Sequence, residues 1–259
     1  GGRQVTQGRI RGEGAGLFDD AGRRYIDLSS MIGVASLGHG HPELAEAIAE
    51  QAHRLVSCFG SFANDRRADL YRELARHLPD AERFFLCNSG TEAIEAAMKI
   101  AAAATGRARF LHLEGSFHGR TLGALALGSR AGHRGPLEAL LPETGRLRPG
   151  DPGSLELIDD RTAAVVVEVI QGEGGVRPID ADWLRAVEAG CRRQGAMLIV
   201  DEVQTGVGRT GAWFAHQDIG LRPDLLCLAK GLGGGLPVGA VGMRRGVPAL
   251  ATGLHGSTF

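Results

Sequence analysis

The sequence predicts an α/β domain, with a mostly parallel β-sheet covered by helices on both faces. Short apolar runs alternate with stretches of helix length through residues 84–243. Such alternation is typical of parallel strands that are joined by crossover helices. The chain has 259 residues, of which 43% are hydrophobic but only 5% aromatic, so we expect one large core of aliphatic side chains.

A hairpin and two helices are predicted before residue 80. The stretch GLFDDAGRRYIDL contains two short strands about an Asp-Ala-Gly turn, and HPELAEAIAEQAHRLV has apolar residues at helical spacing. Asn64 should cap a second helix, which Pro79 ends. We assign residues 1–58 to an N-terminal segment that belongs to a small domain, and residues 59–259 to a large ligand-binding domain.

The second part of the chain repeats a strand, turn and helix order. Helices are predicted at residues 91–104 and 182–194. The predicted strands are residues 84–87, 110–113, 164–170, 197–200, 225–229 and 238–243.

Composition argues against nucleic-acid and membrane partners. The formal net charge is -1, and the sequence has neither a basic block nor an apolar stretch of spanning length. Small molecules are therefore the expected partners. The four cysteines are scattered without CxxC spacing, which is typical of buried thiols in a reducing cytoplasm.

Both ends of the chain look cut. It begins at Gly1 rather than methionine, and it stops at Phe259 just after a glycine-rich segment that should lead into more structure. We therefore expect that further domain structure is missing at the C-terminal end.

Residues that follow strands are the first candidates for binding, because open sheets of this kind bind ligands at the carboxyl ends of their strands. Residues 88–92, Asn-Ser-Gly-Thr-Glu, link a strand to the helix at 91–104. Their backbone amides and the hydroxyls of Ser89 and Thr91 would point above the helix N-terminus, as in a phosphate cradle. An ordinary helix cap explains the same residues equally well.

Lysine is rare in this chain, with Lys99 and Lys230 as its two examples. Lys230 follows an apolar strand, where desolvation lowers the pKa of an ammonium group and makes a nucleophilic amine available. Lys99 lies four residues after Glu95 in a helix, which is the favourable order for an exposed ion pair, so we interpret it as structural.

An acid, Asp201, directly follows another apolar strand. It would remain ionised there only beside a cation or strong hydrogen-bond donors, and a protonated heterocyclic nitrogen is one such partner. The alternative is an acid that caps the following turn.

Four more residues near strand ends are candidates. Phe117 could lie flat on a planar ligand while Arg120 binds a carboxylate, although a core phenylalanine and a surface arginine are comparable alternatives. Glu168 stands inside an apolar run, and a glutamate in the middle of a strand is uncommon unless it is paired. Glu173 lies in the turn QGEGG that follows.

Several other chemistries are excluded by inspection. The sequence has no GxSxG, GxxxxGK[ST] or HExxH motif and no paired CxxC, and the glycine-rich run GLGGGL does not satisfy GxGxxG. His39 and His41 are two residues apart in LGHGHP, which suits a turn better than a metal site. We therefore predict no metal.

The remaining features are a phosphate cradle, an aromatic residue for stacking, a strand-end acid and a nucleophilic lysine, which together suit pyridoxal phosphate. The chain carries LGHGHP, CNSGTEA, FHGRT, VEVIQGEGG, IVDEVQTGVGRTG, LAKGLGGGLPVGAV and HGSTF in this order. Through these motifs it resembles, over essentially its whole length, the class III aminotransferases of the ornithine and acetylornithine type. The resemblance implies the fold type I of pyridoxal-phosphate enzymes, here without the C-terminal small domain.

The resemblance also implies roles for individual residues. Lys230 would form the Schiff base with the cofactor and act as general base, and Asp201 would hold the ring nitrogen. Thr258 would contribute to the phosphate site of a neighbouring subunit, which implies a homodimer with shared active sites. The other cofactor-binding residues that it implies are Ser89, Gly90 and Thr91 at the phosphate, Phe117 and Val203 on the two ring faces, Gln204 at the phenolic oxygen, and His118.

On the substrate side the resemblance implies that Arg120 binds a carboxylate, with Glu168 nearby. Glu173 would gate a second arginine that belongs to the missing C-terminal domain. Val169 stands where the family often has proline, which leaves Glu168 in place.

The activity implied is transfer of an ω-amino group, from a donor such as N-acetylornithine, to 2-oxoglutarate, giving a semialdehyde and glutamate. The alternatives are ornithine, 4-aminobutyrate or another ω-amino acid as donor, a lyase or mutase on the same cofactor, and an inactive cofactor-binding fragment.

Overall fold

The computed structural model of the protein describes residues 8–257. Its strands are β1 Arg9–Glu13, β2 Gly16–Asp19, β3 Arg24–Ile26, β4 Ala81–Cys87, β5 Arg109–Leu113, β6 Thr144–Leu147, β7 Thr162–Val167, β8 Ile170–Gln171, β9 Arg177–Pro178, β10 Met197–Asp201, β11 Leu225–Leu228 and β12 Gly239–Arg244. Besides a four-residue turn at Ser30–Gly33, in which Met31 and Ile32 have positive φ, its helices are α1 Pro42–Arg54, α2 Asp65–His77, α3 Gly90–Thr105, α4 Leu122–Ala126, α5 Ala131–Arg134, α6 Ala181–Gln194 and α7 Ala215–Asp218. Three 3₁₀ turns cover Gly135–Leu140, Pro152–Leu157 and Lys230–Gly233.

A seven-stranded sheet in the order β4-β12-β11-β10-β7-β5-β6 forms the centre of the fold. Strand β12 runs antiparallel to both of its neighbours, and the other pairs are parallel. The predicted mostly parallel sheet is therefore confirmed. Strand β6 was not predicted, because the sequence Thr-Gly-Arg-Leu at this sheet edge lacks an apolar run.

Helices cover both faces of this sheet, as predicted. Successive residues of the buried strand β7 point to opposite sides, as the pleat requires. Val165 and Val167 pack with Trp183 and Leu184 of α6, whereas Ala164 and Val166 belong to a second core that contains seven buried residues of α3. The small alanine side chains of α3 let its backbone lie close to the strands.

Helix ends agree with the capping residues in the sequence. The Asn64 side chain accepts a hydrogen bond from the Arg67 amide at 2.9 Å, so the predicted N-cap of α2 is confirmed. Asp180 caps α6 in the same way through the Trp183 amide at 2.8 Å. Gly106, with φ of 69°, ends α3 in the left-handed conformation that glycine adopts without strain.

Strands β1, β2 and β3 form a separate antiparallel sheet, in which β2 and β3 are the predicted hairpin. Helix α1 follows it and has no fully buried residue. His39, which precedes this helix, contacts an acid of the hairpin segment, with its Nε2 2.9 Å from Asp27 Oδ2. The proposed domain boundary at residue 58 stays a prediction. Among residues 8–257, no helix combines the length and the apolar character needed to cross a membrane.

Candidate active site

The carboxyl ends of β7, β10 and β11 meet at a cavity of about 400 Å³, and the loops after β4 and β5 contribute to it. Arg120 is outside its lining, and Thr258 lies outside the described residues. The predicted site residues that line the cavity are Ser89, Gly90, Thr91, Phe117, His118, Glu168, Glu173, Asp201, Val203, Gln204 and Lys230.

The turn between β4 and α3 forms one wall of the cavity. Ser89 is the N-cap of α3, and its hydroxyl accepts a hydrogen bond from the Glu92 amide at 3.3 Å. A Cβ atom at Gly90 would lie 2.7 Å from Cγ1 of Val203, so only glycine lets this turn approach the loop after β10. The turn is thus a helix cap and also a backbone cradle, and the two interpretations of the sequence are compatible.

Thr91 belongs to a hydrogen-bond network that joins two helices. Its Oγ1 lies 2.7 Å from Thr121 Oγ1, and the Thr121 hydroxyl donates to Glu95 Oε1 at 2.6 Å. The same Glu95 oxygen accepts the Gly123 amide at 2.8 Å, at the start of α4. The prediction of an ion pair between Glu95 and Lys99 was therefore wrong.

Lys99 instead places its Nζ 3.2 Å from Nδ1 of His255. The expectation that side chains four residues apart form an ion pair considers a single helix alone. Here the Glu95 carboxylate accepts hydrogen bonds from backbone amides at the start of α4 instead. The interpretation of Lys99 as a residue outside the site is consistent with its position.

Asp201 is held by two hydrogen bonds. Its Oδ2 lies 2.7 Å from Nδ1 of the buried His118, and its Oδ1 accepts the Val203 amide at 2.9 Å. Burial by itself lowers the pKa of His118, but the hydrogen bond and the charge of Asp201 outweigh it and raise the pKa above its usual value. His118 Nε2 is buried without a hydrogen-bond partner in the described part of the chain.

Lys230 starts the 3₁₀ turn after β11, and its backbone φ of 42° is uncommon for a residue other than glycine. Its amine makes no hydrogen bond or ion pair with the residues that the structure describes. Burial lowers the pKa of Lys230, while the charges of Asp201, Glu173 and Glu168 oppose this effect. Because the pKa is lowered, this amine loses its proton more readily than an exposed lysine does.

Glu168 follows β7 rather than standing inside it, since the strand ends at Val167; the predicted strand over residues 164–170 was too long. Its carboxylate accepts the Phe117 amide at 3.2 Å and the Gly172 amide at 3.3 Å. Burial raises the pKa of Glu168 to about 7.

Glu173 lies at the edge of the cavity beside an arginine that the sequence did not indicate. Arg130 Nη1 is 3.7 Å from Glu173 Oε2, and Arg130 Nη2 donates to the Glu173 carbonyl at 2.6 Å. Arg120 is exposed in the short segment between Gly119, which lines the cavity, and Thr121. Its role in binding a carboxylate stays a prediction.

Gln204 faces the turn after β8. A Cβ atom at Gly172 would lie 1.7 Å from Gln204 Oε1, so glycine is required for the glutamine to extend across this turn. Within residues 8–257, no three histidine, cysteine, aspartate or glutamate side chains come together as a metal-binding group.

Known proteins of one family are similar to this chain in sequence. The profile of the family described as Aminotransferase class-III matches residues 4–259. An acetylornithine aminotransferase of Methanopyrus kandleri is 48% identical over 253 residues, which cover 96% of this chain and 65% of that protein.

Solved structures of aminotransferases are also similar to this chain. The ornithine aminotransferase of Toxoplasma gondii superposes with a TM-score of 0.92 at 33% identity, covering 99% of this chain and 64% of that one. An amine transaminase from an uncultivated Pseudomonas species, in its PLP-bound form, superposes with a TM-score of 0.90 at 28% identity and covers 99% and 67%. The chain thus spans about two thirds of the length of these proteins.

Proposed function

This chain belongs to the class-III aminotransferases, and on that basis we propose that it transfers an ω-amino group to 2-oxoglutarate, with pyridoxal phosphate as cofactor. The observation that carries the proposal is the Lys230 amine, which has no partner among the described residues and shares one cavity with Asp201 and the cradle at the start of α3. N-Acetylornithine is the donor we favour, because the relative at 48% identity is an acetylornithine aminotransferase.

The residues of the cavity fit pyridoxal phosphate. Gly90 brings backbone amides to a helix N-terminus, where a phosphate is favoured by the helix dipole. Asp201 presents a carboxylate that His118 and the Val203 amide keep in one orientation. When bound, the cofactor supplies an electron sink for negative charge that develops on the substrate carbon.

The side chains of the chain then have distinct tasks. The Asp201 carboxylate would hold a proton on the ring nitrogen of the cofactor. Lys230 would take a proton from the substrate carbon and deliver it to a carbon of the cofactor. Phe117 and Val203 would cover the two faces of the ring, and Gln204 would reach the phenolic oxygen. His118 would act through Asp201, since it is buried and its Nδ1 lies 2.7 Å from Asp201 Oδ2.

Substrate selection is assigned to the edge of the cavity. Arg120 would bind a substrate carboxylate bidentately, and Glu173 would gate a second arginine, as the resemblance implies. We further propose a homodimer in which Thr258 reaches the phosphate site of the second subunit.

Donor profiling tests the proposed activity. Purified protein with pyridoxal phosphate and 2-oxoglutarate would be given N-acetylornithine, ornithine or 4-aminobutyrate, and glutamate and semialdehyde would be measured. We expect glutamate and semialdehyde in equal amounts, most rapidly from N-acetylornithine, and none with Lys230→Ala. Cofactor binding without glutamate from any donor would contradict transamination, and a product formed without 2-oxoglutarate would indicate a lyase or mutase.

A further inference from the structure

Two loops on the same side of the cavity lie in direct contact. One follows β5 and carries Phe117, and the other follows β7 and carries Glu173. The loops approach so closely that a Cβ atom at Gly174 would lie 2.7 Å from the Gly115 carbonyl oxygen. The Gln171 side chain also donates to the Glu114 carbonyl at 2.7 Å.

Glu168 joins these loops a second time through its carboxylate. Oε2 accepts the Phe117 amide at 3.2 Å, and Oε1 accepts the Gly172 amide at 3.3 Å, so each oxygen serves one loop. Only 6% of the residue is exposed, so water cannot readily replace either bond. Each bond is charge-assisted when the group is ionised, and protonation weakens the acceptor that receives the proton.

Three charged or titratable groups face this carboxylate from the neighbouring strand ends. His118 follows β5 and favours the ionised form, whereas burial and the charge of Asp201 at the end of β10 favour the neutral form. Lys230 after β11 is attracted by the Glu168 charge. The balance raises the pKa of Glu168 to about 7, so the group titrates near neutral pH.

We propose that Glu168 is a positioning residue whose ionisation fastens the Phe117 loop and the Glu173 turn to each other, and so couples the cofactor side of the cavity to the substrate side. This role rests on the proposed function, in which Phe117 covers the cofactor ring and Glu173 lies on the substrate side. It assigns Glu168 no direct contact with substrate, in contrast to the role that the sequence implied.

A pH titration of the amide resonances tests the coupling without any catalysis. In the ¹⁵N-labelled protein without cofactor, the amide protons of Phe117 and Gly172 should shift downfield together as pH rises, with one shared midpoint close to 7. In Glu168→Gln both titrations should be lost. Glu114→Gln is the matched control, because its exposed carboxylate lies on the same loop and, within residues 8–257, pairs only with Arg148 at 3.9 Å. The shared titration should persist in this variant.

The affinity for pyridoxal phosphate is a second measurement. We expect Glu168→Gln to weaken binding about tenfold above pH 8, as loss of one charge-assisted hydrogen bond does, and to change it little at pH 5.5. The proposal would be overturned if the two amides titrated with different midpoints, if neither titrated in the wild type, or if the titration survived in Glu168→Gln. The wild-type titration decides the question even if the variant does not fold. If the shared titration is seen but no donor is transaminated, only the proposed function fails.

Discussion

His118 Nδ1 lies 2.7 Å from Asp201 Oδ2, and this pair is buried at the base of the cavity. The histidine fixes one carboxylate oxygen, while the Val203 amide fixes the other. Asp201 therefore faces the cavity in a set orientation before any ligand enters. Such preorganisation means that little reorganisation is required when charge develops during a reaction.

Asp201→Asn should retain pyridoxal phosphate but reduce kcat roughly a thousandfold, because a neutral amide no longer stabilises a protonated ring nitrogen. Steady-state kinetics and cofactor absorbance would measure the two effects separately. Asp180→Asn is the matched control, since asparagine caps a helix as well as aspartate does and Asp180 lies outside the cavity. Near-normal turnover in Asp201→Asn would refute the assignment.

Lys230→Ala should abolish covalent attachment of the cofactor, whereas Lys99→Ala should leave it intact. Lys230 is a cavity residue and Lys99 is not, because its amine contacts His255. Borohydride reduction followed by peptide mapping identifies the lysine that carries the cofactor. A label on Lys99 in the wild type would show that the assignment is wrong.

The strand-end residues of the site could be predicted because each follows a continuous apolar run. Asp201 and Lys230 are such residues, and parallel strands bring their carboxyl ends to one edge of the sheet. The end of β7 could not be located in the same way, since Val169 and Ile170 continue the apolar pattern past Glu168.

Partners supplied by distant parts of the chain were not predictable. Glu95 accepts a hydrogen bond from the Gly123 amide at the start of α4, and Arg130 donates one to Glu173, which is 43 residues away in the sequence. Neither contact has a local sequence pattern, because tertiary packing alone brings the groups together. The pairing of His118 with Asp201, 83 residues apart, is a third example.

Gly90→Ala should destabilise the protein by about 1–3 kcal/mol and weaken cofactor binding, because the added methyl group would overpack the site against Val203. Thermal unfolding and a cofactor titration would measure both effects. Gly132→Ala is the control, since nothing lies within 4 Å of a Cβ atom there. The double variant Gly90→Ala, Val203→Ala should recover part of the lost stability; an unchanged deficit would contradict the steric explanation.

The buried Glu168 should make folding stability fall as pH rises from about 4.5 to about 7. Its pKa is raised from 4.5 to about 7, so between these values the folded protein keeps a proton that the unfolded chain has lost. The resulting cost reaches roughly 3 kcal/mol above pH 7 and is absent below pH 4.5. Glu168→Gln cannot ionise, so the stability of the wild type relative to this variant should decline across that interval by up to this amount. Urea unfolding of both proteins at several pH values gives this difference, from which titrating groups that do not interact with Glu168 cancel. A difference that stays constant or increases with pH would show that burial does not hold the proton on Glu168.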